Sequence, residues 1–184
     1  MSRDFAATLQ RGLLGESLIS RWLIRRGCVV VPAYSVEVGT GKGPRVFAPQ
    51  GPLVAPDLAV FKAGRVSWIE AKHKTAFSWR RSHPGPRWET GIDLPHWLDY
   101  GRVAGATHTP LWLLFLHRDA SPCSCDSRHV DGGARSPVGL FGISVGLASR
   151  RARIDKRPQP HARRGMAYWG VDDLTLLADI AEVV

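Results

Sequence analysis

The sequence predicts an α/β fold in which a mixed β-sheet carries helices on its faces. Three observations predict it. Apolar residues recur at helical spacing near the N-terminus and again in mid-chain. Two apolar runs, 56–61 and 66–72, flank a short pause at Lys62-Ala63-Gly64-Arg65, which is a hairpin signal. Residues 110–117 then form an apolar run of the length of a buried strand. At 184 residues, 44% apolar and 22% charged, the chain is expected to fold as one domain, 1–184.

The elements follow in chain order. Residues 4–26 read as a helix, with Phe5, Leu9, Leu13, Leu18, Trp22 and Leu23 at helical spacings and Gly27 as its stop. Residues 28–34 are β-branched and read as a strand, with Cys28 in the core. Several Gly and Pro make 36–53 a loop or an irregular strand pair. The hairpin follows, and then a basic, aromatic loop over 73–92. A second helix is expected from Asp93 to Ala104, with Asp93 as its cap and Gly105 near its end. After the strand at 110–117 comes a polar loop, 118–137. A strand at 138–146, a basic stretch at 148–165, a short strand at 166–169 and a final helix over 172–182 complete the series. Leu174, Leu177 and Ala181 give that last helix its spacing.

Charge narrows the function. Lys plus Arg number 25 and Asp plus Glu 16, a net charge of +9. Such an excess favours a polyanionic partner, because neutralising phosphates releases counterions. No stretch approaches the roughly 18 consecutive apolar residues of a membrane span, and no basic amphipathic helix suits a membrane surface. The first residues lack a signal-peptide pattern, so a cytoplasmic location is expected. Three cysteines argue against a disulfide framework. Cys123 and Cys125, with His129 nearby, fall short of zinc's four ligands and wider spacing, so an ordinary reduced loop is expected.

The hairpin carries the chemistry. Strand side chains alternate faces, so Glu70 and Lys72 share one with Trp68, while Ile69 and Ala71 point the other way. A turn at Ala63-Gly64 sets Lys62 against Arg65 and brings Asp57 opposite Glu70, with Cβ atoms about 5 Å apart. Opposed carboxylates are unfavourable unless compensated, and a divalent cation compensates them. Oxygen-only ligands suit Mg²⁺ or Mn²⁺ rather than zinc. Lys72, beside the ion, is placed to offset charge on a phosphate. Glu16 lies within about 20° of Phe5, Leu9 and Leu23 on a helical wheel, so this carboxylate sits on an apolar stripe and needs a partner. Leu14, Leu18 and Trp22 form a second stripe, open either to a homodimer or to packing under the C-terminal helix.

Glu16 on the first helix, Pro56-Asp57 and Glu70-Ala71-Lys72 together resemble the PD-(D/E)XK nucleases, in particular the small Holliday-junction-resolvase-like and phage-type branch. The resemblance covers about residues 5–117. It implies a restriction-endonuclease-like mixed central β-sheet flanked by helices, with an α-β-β-β-α-β core, to which residues 138–184 add a strand, a basic segment and a helix. It implies a Mg²⁺-dependent nuclease acting on phosphodiester bonds in DNA and leaving 5′-phosphate ends. Asp57 and Glu70 would then hold the metal with the Ala71 carbonyl as a further ligand, Lys72 would be the catalytic lysine, and Glu16 would complete the acidic set. It also implies a substrate-contacting residue on the helix after the lysine, where His96 and Tyr100 lie four apart on one face. The alternative is a catalytically silent nuclease-fold protein that binds nucleic acid, against which the intact Asp57, Glu70 and Lys72 argue. A basic scaffold with a fortuitous motif is the third reading.

Two basic segments offer a surface for DNA or RNA. Lys74, Arg80, Arg81 and Arg87 are interleaved with Phe77, Trp79 and Trp88, a pairing of phosphate contacts with stacking rings. Arg150, Arg151, Arg153, Lys156, Arg157, Arg163 and Arg164 form the second.

Overall fold

A computed structural model describes residues 3–33, 44–81, 85–121, 135–157 and 164–184. The side chains of Phe5 and Leu9, together with Tyr34, Cys123, Cys125, His129 and Arg163, lie outside the described residues.

Helix α1 (Arg3–Arg25) leads into strand β1 (Val29–Pro32) and a small hairpin, β2 (Arg45–Ala48) and β3 (Gly51–Val54). The sequence-predicted hairpin follows as β4 (Leu58–Lys62) and β5 (Arg65–Lys74). Ala63 and Gly64 both adopt positive φ, 49° and 73°. That is the tight turn whose twist suits a two-residue hairpin. Next come β6 (Ser78–Arg80), β7 (Arg87–Asp93), α2 (Leu94–Thr107) and β8 (Leu111–His117). The chain continues as β9 (Gly139–Ser144), α3 (Val145–Arg151), β10 (Arg153–Asp155), β11 (Met166–Gly170), β12 (Thr175–Ala178) and α4 (Ile180–Val183).

The main sheet has the order β1-β4-β5-β8-β9-β12. Among the described residues, only the β5–β8 pair of this sheet is parallel. Its crossover runs through β6, β7 and α2, which explains why β8 is buried almost throughout. A second sheet, β10-β11-β7-β6, stands beside it. One core lies between the main sheet and α1, built on Leu18, Ile19, Trp22, Leu58, Ile69 and Leu116. The other lies on the α2 side, built on Tyr100, Val103, Leu113, Phe115, Ile143 and Trp169. This is the mixed sheet with flanking helices that the sequence predicts.

Four expectations are corrected. The loop predicted over 73–92 is the end of β5 plus β6 and β7, because Phe77 and Trp88 are core residues, 1% and 8% exposed, and not rings offered to solvent. The strand predicted over 138–146 stops at Ser144, whose side chain caps α3 by accepting from the Leu147 N–H. The helix predicted over 172–182 is a 3₁₀ turn (Val171–Asp173), then β12, then α4. Residues 175–178 gain ladder bonds to β9 there, and that pairing outweighs their helical spacing. Helix α2 passes Gly105 and ends at His108, which takes the left-handed cap conformation at φ 50°.

On α1 the buried face is Gly15, Leu18, Ile19, Trp22 and Leu23, so it draws on both predicted stripes, and Leu13 and Leu14 are exposed. α4 docks beside α1, with Val183 in the α1 core and Arg26 Nη2 3.1 Å from Glu182 Oε2. No helix among the described residues is long and apolar enough to cross a membrane.

Candidate active site

Ile69 and Ala71 enter the α1 core and Trp68 packs in the α2 core. The two-residue period of β5 therefore turns Glu70, Lys72 and Lys74 toward α2. The hairpin register is the one the turn predicts, with Lys62 opposite Arg65 and Leu58 opposite Ile69. Asp57 lies one residue beyond the ladder, in a bend. Its Oδ2 accepts a hydrogen bond from the Ala71 N–H at 2.9 Å, and its carbonyl accepts from the Ala33 N–H at 2.8 Å. The Ala71 donor thus aims the carboxylate beside Glu70, while the Ala33 donor fixes the Asp57 backbone.

Glu70 is 1% exposed, and its Oε1 is ion-paired with the Lys72 ammonium. Burial first, then the neighbouring Glu70 charge, pushes the Asp57 carboxyl up to about 7. Burial works against the Lys72 ammonium, but Glu70, Asp57 and Glu16 outweigh it and hold the proton above the ordinary lysine range. At Lys74 the compensation is weaker. Burial and then the Lys72 charge push it down to about 8, against the pull of Asp93.

Two groups reach the site from α2. Tyr100 is 2% exposed, and burial followed by the Glu70 charge holds its phenol far above the usual range. His96, with its ring centroid 6.4 Å from that of Tyr100, is held below its ordinary range by burial and then by Lys72. The predicted shared face of His96 and Tyr100 is therefore the face that looks onto Glu70 and Lys72.

Glu16, half-buried on α1, makes its charge felt at Lys72. What brings it there is Gly15, a residue with no sequence signal of its own. A Cβ on Gly15 would lie 2.3 Å from the Cβ of His73, so α1 rests directly on β5 next to the lysine. Asp93 also departs from its expected role as a cap. It occupies the cap position of α2 but its side chain caps nothing. Instead its charge acts on Lys74, His96 and Tyr100. The signal was its place at the end of β7, which is visible only once 87–93 is recognised as a strand.

Trp79, Arg80 and Arg81 stand apart from this cluster, on or just past β6. Trp79 meets Trp88 edge to face at 4.9 Å, and Arg80 Nη1 lies 3.3 Å from Glu89 Oε1. An apolar groove of about 550 Å³, lined by Trp22, Val60, Ile69, Trp112 and Leu114 among others, lies on the α1 side of the sheet. It faces away from the carboxylates.

The donor set fits a hard divalent cation. Asp57 is raised partly by Glu70, and a bound cation relieves that repulsion. Among the described residues no group of three or more His, Cys, Asp or Glu is gathered for a metal. Mg²⁺ needs fewer protein ligands than that, since it keeps several waters and is held by one or two carboxylates plus substrate phosphate.

No family model matches the sequence, and no curated protein matches it. Among solved structures, the chain is similar to Hjc, a Holliday junction resolvase from the archaeal hyperthermophile Archaeoglobus fulgidus. The TM-score is 0.51 at 10% identity, over 94% of this chain and 98% of that one. The two share a fold.

Proposed function

We propose that this protein is a metal-dependent nuclease that hydrolyses phosphodiester bonds in DNA. The observation that carries the reading is the polar face of β5, where Glu70 and Lys72 meet Asp57 in an otherwise apolar core. Similarity of fold to a junction resolvase supports it, and so does the net charge of +9.

Asp57 and Glu70 would hold Mg²⁺ or Mn²⁺, with the Ala71 carbonyl as a further oxygen and Glu16 near the edge of the set. Such a cation supplies Lewis-acid polarisation of the phosphate and a more acidic bound water. Lys72 keeps its proton and presents a fixed ammonium where negative charge builds on the phosphate. Tyr100 also keeps its proton and remains a donor beside Glu70. Lys74 and His96 line the approach on the same side and contact the substrate backbone.

Labelled linear, flapped, single-stranded and four-way DNA, each with Mg²⁺, Mn²⁺ or chelator, test the proposal. Cleavage is expected of at least one substrate, only with metal, and Glu70→Ala should reduce it at least about a hundredfold. Near wild-type rates in Glu70→Ala would refute the assignment.

A further inference from the structure

Strand β7 joins the candidate site to a second surface. Arg87, Glu89, Gly91 and Asp93 share one face of it by the two-residue period, and Asp93 is the residue that acts on Lys74 and His96. The ladder places Tyr168 beside Gly91, Arg153 beside Tyr168 and Arg80 beside Arg87. The two basic segments, far apart in sequence, therefore meet on one sheet face.

Glu89 organises that face. It is 3% exposed and takes Arg153 Nη2 at 2.6 Å, Arg87 Nε at 3.0 Å and Arg80 Nη1 at 3.3 Å. Three cations on one buried carboxylate exceed what neutralising it requires. Asp155, 9% exposed, holds Arg157 at 2.7 Å, and Asp173 lies 3.9 Å from Arg87. Four arginines thus gather around Glu89, Asp155 and Asp173, but the two sets lie at different depths. The side chains of Glu89, Asp155 and Asp173 are 3%, 9% and 15% exposed, while Arg80, Arg87 and Arg153 are 24–26% and Arg157 is 83%. The anions lie beneath and the guanidiniums outward. Tyr168 supports Arg153 from below, with the guanidinium 4.3 Å from its ring centroid.

At the strand's rise, Glu89 and Arg87 lie about 13 and 20 Å along β7 from Asp93. That distance corresponds to about four to six base pairs of a duplex. We propose that Arg80, Arg87, Arg153 and Arg157 grip the phosphate backbone of a nucleic-acid arm that leaves the candidate site along β7, with Arg153 and Arg157 toward its Asp93 end and Arg80 and Arg87 about six base pairs beyond Asp93. Glu89 and Tyr168 act as positioning residues. The proposal rests on the nuclease reading for what lies at the other end of the arm.

The test is binding of a labelled duplex of about 30 base pairs in chelator across a salt series. Arg80→Ala with Arg157→Ala leaves Glu89 its Arg87 and Arg153 partners, and an unchanged melting curve verifies the fold. The slope of log affinity against log salt should become shallower by about 1.8, two phosphate contacts. Lys62→Ala with Arg65→Ala removes equal charge from the β4–β5 turn and should leave the slope as it was. Arg157→Glu, at the most exposed position, should bind more weakly than Arg157→Ala. Equal slopes in the two double variants would overturn the proposal. Cleavage of the DNA panel separates the two claims. Cutting with arginine-independent binding rejects this face alone, whereas arginine-dependent binding without cutting rejects the nuclease reading and leaves the face standing.

Discussion

Burial, and then the Glu70 charge, hold the Asp57 carboxylate in conflict with its surroundings. A carboxyl that titrates near 7 when folded binds protons that the unfolded chain, titrating near 3.8, has already lost. Stability conferred by the fold therefore falls as pH rises from about 4 through 7. Asp57→Asn keeps an acceptor for the Ala71 N–H and removes the charge. In chelator it should raise the unfolding free energy at pH 8 by up to about 4 kcal/mol, read from urea unfolding, and change little at pH 4. An equal shift at both pH values would show that burial and Glu70 do not raise the Asp57 carboxyl in the fold. Lys74 gives a second test at this scale. It carries its charge below about 8 and loses it above. DNA affinity in chelator should therefore decline as pH rises through 8, and Lys74→Arg should abolish that decline, because a guanidinium stays protonated. A decline identical in Lys74→Arg would assign the titration elsewhere.

Among the elements, α1 and α2 do different work. α2 supplies His96 and Tyr100 to the face of β5, whereas α1 crosses the opposite face and comes up to the strand where Gly15 meets His73. Gly15→Ala forces the helix away from β5 or displaces the His73 stem, since the clash is with Cβ and not with a flexible tip. A cost of about 1–3 kcal/mol is expected from overpacking of this kind. Cleavage should fall further than stability does, because Glu16 retreats from Lys72. Gly12→Ala, whose Cβ meets nothing within 4 Å, is the control. Equal melting temperatures and rates for the two variants would remove Gly15 from the account.

Across the whole molecule, His117 ties the site strand to acid stability. It is fully buried at the end of β8, paired with Lys74 in the parallel ladder and stacked on Phe77 at 3.6 Å. Burial, then the Lys74 charge, pushes it down to about 3. The unfolded chain gains this proton near 6.5 and the folded chain resists it. Stability is thus complete above 6.5 and is lost as pH falls toward 3. His117→Leu should flatten that limb of the urea-unfolding profile, with a difference on the order of a few kcal/mol at pH 4. Parallel profiles for wild type and His117→Leu would exclude it as the titrating group.

The local patterns were sufficient for most of the main sheet. A two-residue turn fixes register over a short hairpin, so the pairing of Leu58 with Ile69 and the common face of Glu70 and Lys72 could be read from Ala63-Gly64 and the alternation alone. The same holds for His96 and Tyr100, whose spacing is a property of any helix. What the tertiary structure decided involves partners distant in sequence. Residues 175–178 became a strand because β9 had an edge to pair, and 78–80 and 87–93 became strands because Phe77 and Trp88 had a core to enter. Gly15 gained its meaning only from His73, Asp93 from Lys74, and Glu89 from arginines at 80, 87 and 153. Propensity and period are carried by neighbouring residues, whereas burial and charge coupling depend on what the rest of the chain brings alongside, which no local window contains.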